Sequence, residues 1–253
     1  MPSRMNVDHR YTQTQKRYAA DDLETMSEAR NYQAHVFNLV RPFVGARVLE
    51  VGCGIGTMTS QLLDQAERVV CIEPNLNCAA RAGETLAGND RVTIRVCHLE
   101  ECNRAELQAH GFDTVVCVNV LEHIEDDVHA LALFREIVAA AGGRVLIFVP
   151  AIQRIYGPHD AALGHHRRYS KRTLRAAFTA AGLDVVSMRY TNPIGLLGWM
   201  YNLYVTGNTE HTTGQVRLFD RLIAPWALPL ERVFVPPIGL SLFAVGRARP
   251  QSA

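Results

Sequence analysis

The sequence predicts an α/β protein, an open and mostly parallel sheet covered by helices on both faces. Three observations carry that prediction. Short segments apolar on both faces alternate with segments of helical period; a turn with glycines at 52, 54 and 56 follows the first of them; and acids, Glu50 and Glu73, stand at the ends of the first two. Strands buried on both sides read as continuous apolar runs, which a helix-covered parallel sheet requires.

The elements follow in order. Residues 1–20 are polar. Leu23, Met26 and Ala29, then Val36, Leu39 and Val40, recur at helical spacing, with Asp21 or Asp22 as cap and Pro42 as stop. "RVLEV" from Arg47 is a first strand, "TMTSQLLDQA" from Thr57 a helix, and "RVVCIEP" from Arg68 a second strand. A helix over "LNCAARAGETLAG" leads to a third strand, "RVTIRVC", and "FDTVVCVNV" is a fourth. The helix "DDVHALALFREIVAA" precedes a fifth strand, "GRVLIFVP". Ser170 caps a helix that Gly182 ends, "LDVVSMRY" is a sixth strand, and "GLSLFAVGRA" is a seventh. Between the last two lies an insertion rich in aromatic residues, Pro and Gly.

Composition narrows the function classes. A chain of 253 residues can bury a substantial core. Its 26 basic and 25 acidic side chains leave a formal charge of +1, so no global field favours nucleic acid or an acidic membrane. The six cysteines, at 53, 71, 78, 97, 102 and 117, form no C-x-x-C pair. Neither zinc ligation nor a disulfide framework is expected, and a reduced, cytoplasmic compartment is. The N-terminus lacks the apolar run of a secretory signal. Glu231, Arg232 and four prolines interrupt the apolar stretch near the end, so no transmembrane segment is expected. Oligomeric state is left open.

The glycine turn raises the question of ligand. A pyrophosphate fingerprint needs glycine at 57, where Thr57 stands, and a phosphate loop needs a lysine that is absent. Glu50, at the carboxyl end of the first strand, repels a phosphate and attracts an ammonium or sulfonium. At roughly 4 Å and intermediate dielectric that contact is worth on the order of a few kcal/mol before desolvation. Glu73, at the end of the second strand, can accept both hydrogens of a ribose diol. Together they favour a cationic ligand that carries a ribose.

"EVGCGIGT", "CIEPN", "FDTVVCVNVLEHI" and "GGRVLIFVP", in that order and spacing over about residues 45–150, resemble the motifs of class I S-adenosylmethionine-dependent methyltransferases. The downstream stretches resemble a bacterial subgroup of the methyltransferase type 11/12 kind. The resemblance implies a Rossmann-like doubly wound sheet of order 3-2-1-4-5-7-6 with an antiparallel last strand and helical cap elements. It implies one domain over 1–253: an N-terminal lid over 1–42, a cofactor-binding core over 43–190, an aromatic cap insertion over 191–237 and a final strand over 238–248. It places Glu50, Gly52, Gly54 and Gly56 around the methionine part of S-adenosylmethionine, Glu73 at the ribose, and Pro74 and Asn75 near the adenine edge. Asn119, Val120 and His123 would line the sulfonium side. The acid usual after the third strand is missing; His98, Leu99 and Glu100 occupy that place.

The expected reaction is methyl transfer to a small, apolar or aromatic acceptor such as an indole or phenol of specialised metabolism, with S-adenosylhomocysteine as product and no nucleic-acid partner. A hydroxyl or ammonium acceptor must lose a proton. Histidine, with an unperturbed pKa of about 6.5, suits that task. His165, His166 and Tyr169, in the loop after the fifth strand, are the candidates, with Tyr32, His159 and Trp199 as candidate substrate contacts. Small-RNA and ubiquinone-pathway methyltransferases that bind a divalent ion carry E-x-x-E-H where this chain has Asn119, Glu122 and His123, so no metal is expected. A non-catalytic cofactor-binding scaffold and an NAD-binding dehydrogenase are the competing classes.

Overall fold

The computed structural model describes Leu23 and residues 26–201, 213–231 and 233–248. Seven strands form one sheet: β1 (Arg47–Val51), β2 (Arg68–Ile72), β3 (Val92–Arg95), β4 (Thr114–Val118), β5 (Arg144–Pro150), β6 (Leu183–Thr191) and β7 (Ser241–Ala248). Their order is β3-β2-β1-β4-β5-β7-β6, and β7 runs antiparallel to both neighbours. That is the order and the polarity the resemblance implied. The final strand begins at Ser241 rather than at 238.

Alternation along each strand splits the core in two. Leu49 and Val51 of β1 join one apolar cluster with α5 (Asp127–Ala139) and α7 (Lys171–Ala180). Val48 faces the other, with α1 (Arg30–Val40), α2 (Thr57–Leu62) and α3 (Leu76–Thr85). A period of two in side-chain direction therefore sends Glu50 to the same face as Val48. Strand order reverses between β1 and β4, and their carboxyl ends open a crevice there.

Among the helices the sequence reading does not assign outright are α4 (Arg104–Ala109), α6 (Pro158–Leu163) and α8 (Pro193–Tyr201). Ser170 caps α7 as expected, its hydroxyl accepting from the Thr173 amide. The first long helix does not run from Asp21 to Val40 unbroken: a turn at Glu28 and Ala29 precedes α1. Its cap is remote, because Asp220 accepts from the amides of Asn31 and Tyr32. Asp21 and Asp22 lie outside the described residues, as do residues 1–22, 24 and 25 of the expected 1–42 lid. Asp220 belongs to a helical run made of α9 (Thr213–Leu218), a π-turn (Phe219–Ile223) and α10 (Ala224–Leu230). Among the described residues, no helix is long and apolar enough to cross a membrane.

Candidate active site

At the switch point the turn after β1 holds Gly52, Gly54 and Gly56 at φ of 74°, 55° and 84°. A side chain at Gly52 would also collide, since its Cβ would lie 2.3 Å from Val120 Cγ2 in the turn after β4. The two turns thus approach as closely as backbone allows. Glu73 ties the first of these turns to the segment after β2: one oxygen accepts from the Gly54 amide at 2.8 Å and the other from the Asn75 amide at 2.9 Å. Each oxygen keeps a lone pair for a further donor. Burial raises the pKa of Glu73 above its ordinary value.

Glu50 sits deeper than the sequence suggested. It is 3 % exposed, and its carboxylate takes the Thr59 hydroxyl of α2 at 2.7 Å and the Cys71 thiol of β2. Burial pushes its pKa up to about 7, with the Glu73 charge adding to the rise. It therefore underlies the turn rather than facing open ligand space, a correction that follows from strand alternation.

Pro74 and Asn75 follow β2, but Asn75 spends its side-chain oxygen capping α3. His98 and Glu100 are exposed, while Leu99 between them is buried. Asn119 is exposed with φ of 53°, and its amide donates to the Phe148 carbonyl. Leu76 and Val96, both exposed at the carboxyl ends of β2 and β3, were missed; a lone apolar residue after a strand carries no sequence signal.

The three catalytic candidates part company. Tyr169 is buried in the core, its hydroxyl on Asp127 at 2.8 Å, and does not reach the crevice. Its backbone ties the loop to β5, so it is a packing residue. His166 turns to solvent. His165 points inward: Nδ1 lies 2.9 Å from Asp160 Oδ1 and Nε2 lies 4.0 Å from Glu122 Oε1. Asp160, wholly buried, also accepts from Arg168 Nε at 2.8 Å. Burial opposes its ionisation, yet His165 and Arg168 together hold its pKa below the usual carboxylate value. Asp160 lies in the same loop as the candidate histidines, where the sequence offered it as a further acid–base group.

Glu122 was also passed over as a reactive group. It is 1 % exposed, and neither oxygen has a hydrogen-bond partner among the described residues. Burial raises its pKa to about 8 and lowers that of His123 to about 4. The rings of His123 and His165 meet edge to face at 4.6 Å. Glu122, His123 and His165 each offer a ligand atom, all within 4.8 Å of one another. The fold thus brings a loop histidine to a pair that looked incomplete because of Asn119.

Tyr32 approaches from α1. Burial pushes its phenol up to about 12, and the nearby Glu231 and Glu122 charges add to the rise. His159 and Trp199 pack edge to face at 5.4 Å, and the Arg168 guanidinium lies 4.4 Å from the Trp199 ring centre. A chain of contacts therefore runs from α8 through Arg168 and Asp160 to His165.

A seven-stranded sheet of this order, with a glycine turn at the switch point and an acid after β2, is the architecture of class I S-adenosylmethionine-dependent methyltransferases. The chain belongs to the methyltransferase domain family, whose model matches residues 11–188. It is 27 % identical over 186 residues to the human mitochondrial ubiquinone biosynthesis O-methyltransferase, covering 64 % of this chain and 48 % of that one. The chain thus spans about half the length of that relative, and 34 % of the length of the Xanthomonas euvesicatoria enzyme of the same description, at 38 % identity over 84 residues. Among solved structures, the complex of the Haloferax volcanii Trm112 methyltransferase activator with a methyltransferase matches with a TM-score of 0.64 at 17 % identity, covering 95 % of this chain and 98 % of that one. The [4+2]-cyclase SpnF matches with a TM-score of 0.54 at 16 % identity, covering 84 % and 80 %. The shared fold therefore does not by itself define a reaction.

Proposed function

We propose that the protein transfers a methyl group from S-adenosylmethionine to a hydroxyl of a small aromatic acceptor. The observation that carries this reading is the His165–Asp160 pair beside the buried Glu122, at 2.9 and 4.0 Å. A base fixed by a carboxylate serves an acceptor that must lose a proton, and a hydroxyl is such an acceptor. The named O-methyltransferases among its relatives support the same chemistry.

The residues present fit the cofactor. Glu73 retains lone pairs for a ribose diol, the glycine turn presents backbone without side chains, and Leu76 and Val96 offer exposed apolar surface after β2 and β3. Glu50 supplies negative charge beneath the turn. When bound, S-adenosylmethionine provides an electrophilic methyl on sulfur. The chain's own task is to orient the acceptor, exclude water and take its proton on His165 Nε2, while Asp160 holds the ring in the matching tautomer. Tyr32, His159 and Trp199 are the proposed walls of the acceptor pocket.

Incubation with S-adenosylmethionine and a panel of phenols and catechols tests this, with S-adenosylhomocysteine and the methyl ether as the readout. Cofactor binding without product from any hydroxyl acceptor would return the scaffold class to first place. Glu73→Ala is expected to weaken S-adenosylhomocysteine binding by about 1–3 kcal/mol, the scale of lost charge-assisted hydrogen bonds. Unchanged affinity in calorimetry of a folded variant would remove Glu73 from the site.

The mutual approach of Glu122, His123 and His165 favours a second reading of the same site, in which those three hold a divalent cation. One carboxylate and two imidazoles suit a borderline metal. That reading predicts that the purified chain binds Zn²⁺ or Mn²⁺ in equilibrium dialysis and that Glu122→Gln abolishes binding. Full turnover after exhaustive chelation would leave His165 as the free base.

A further inference from the structure

The helical run from Thr213 to Leu230 has its polarity reversed. Its inner face, against α1, carries Asp220, Ala224 and Leu228, with Glu231 just beyond, all buried. Both acids are engaged there, Asp220 on the α1 amides and Glu231 on Thr191 and Asn192. The outer face carries Leu218, Leu222, Trp226 and Leu230, one every four residues, at 59, 64, 78 and 60 % exposure. The chain then continues through Val233, Phe234 and Val235, all exposed. A soluble surface seldom leaves so continuous an apolar stripe open to water.

Charge says what fits it. With its acids turned inward, the segment presents only cations among its described exposed charges, Arg217 and Arg221. Arg217 reaches back to Glu28, which leaves Arg221 beside the apolar stripe. An apolar ridge that exposes an indole and a phenyl ring at 78 and 73 %, flanked by arginine and with no exposed acid among its described residues, matches an anionic bilayer surface: rings and aliphatic chains enter the acyl boundary while guanidinium meets phosphate. A helical run with its acid on the buried face and an apolar, exposed outer face suits lying on such a surface, and no described helix is long and apolar enough to cross it.

We propose that the 218–235 segment docks the protein on anionic phospholipid membranes. This is independent of the acceptor and of the base. Flotation of the full chain with vesicles of phosphatidylcholine alone, or mixed with phosphatidylglycerol, tests it. The wild-type chain is expected to float with the mixed vesicles and less with neutral ones, and brominated lipids are expected to quench Trp226. Trp226→Ser combined with Phe234→Ser is expected to lower partitioning by at least roughly tenfold, and Arg221→Glu to lower it on the mixed vesicles selectively. Unchanged melting and S-adenosylhomocysteine affinity establish that the variants are folded. Equal flotation of the double variant overturns the proposal. So does a wild-type chain that ignores vesicles, and a concentration-dependent dimer lost in the double variant would then assign the face to a second copy.

Discussion

His165→Ala is expected to slow methyl transfer to a hydroxyl acceptor by about 10²–10⁴-fold, the range for a positioned general base, while S-adenosylhomocysteine binds as before. The separation follows from geometry. The imidazole contacts Asp160, Glu122 and the His123 ring rather than the glycine turn or Glu73, so its loss leaves the turn and the ribose acid in place. Asp160→Asn supplies the control. It keeps the shape but turns an acceptor into a group that can present its amide to Nδ1, and it leaves the Arg168 charge, buried at 5 % exposure, without its partner. Turnover is then expected to fall, because the ring loses its fixed tautomer. A His165→Ala enzyme with normal turnover would sink the base assignment, and normal turnover restored only by added metal would favour the cation-binding reading.

Glu50→Gln is expected to stabilise the ligand-free protein at pH 8 and to weaken its hold on a cationic cofactor. Burial lifts Glu50 from its ordinary 4.5 to about 7. The folded chain therefore keeps a proton there that the unfolded chain has released, so stability from this group is full below pH 4.5 and lost as pH rises to about 7. At about 1.4 kcal/mol per pH unit, the ionised carboxylate costs on the order of 3 kcal/mol above pH 7. Glutamine stays neutral and can still accept from Thr59. Melting temperatures of the two proteins should therefore converge near pH 4.5 and separate near pH 8. In the wild type, a sulfonium ligand favours the ionised form, so binding near pH 6 should release a proton, detectable by calorimetry in buffers of different ionisation enthalpy. Parallel melting curves across this range would refute the buried-acid account.

The alternation of strands and helices, the glycine turn and the acid after β2 were legible because each rests on local pattern, whereas the strand order came only through the resemblance of the motifs to a known family. An apolar run buried on both faces, glycines forced to positive φ and an acid at a strand end all leave marks within a few residues of sequence. Glu50 was legible as an acid but not as a buried one, since its direction depends on which face of β1 meets α2. Tyr169 misled for a related reason. It stands near His165 in sequence, yet the bridge of its backbone to Ala151, just past β5, turns the ring into the core, onto Asp127.

By itself the sequence determined the α/β architecture, the place of the glycine turn and the acids at the ends of the first two strands. Tertiary structure alone decided that Asp220 caps α1 across 189 residues, that Glu122 and His123 gain His165 as a neighbour, and that Asp220 and Glu231 face inward while Trp226 faces out. The physical reason is range. Backbone conformation and strand burial are set by nearest neighbours, whereas the protonation of a buried carboxylate and the partner of a loop histidine depend on groups that only the closed fold brings within a few ångströms.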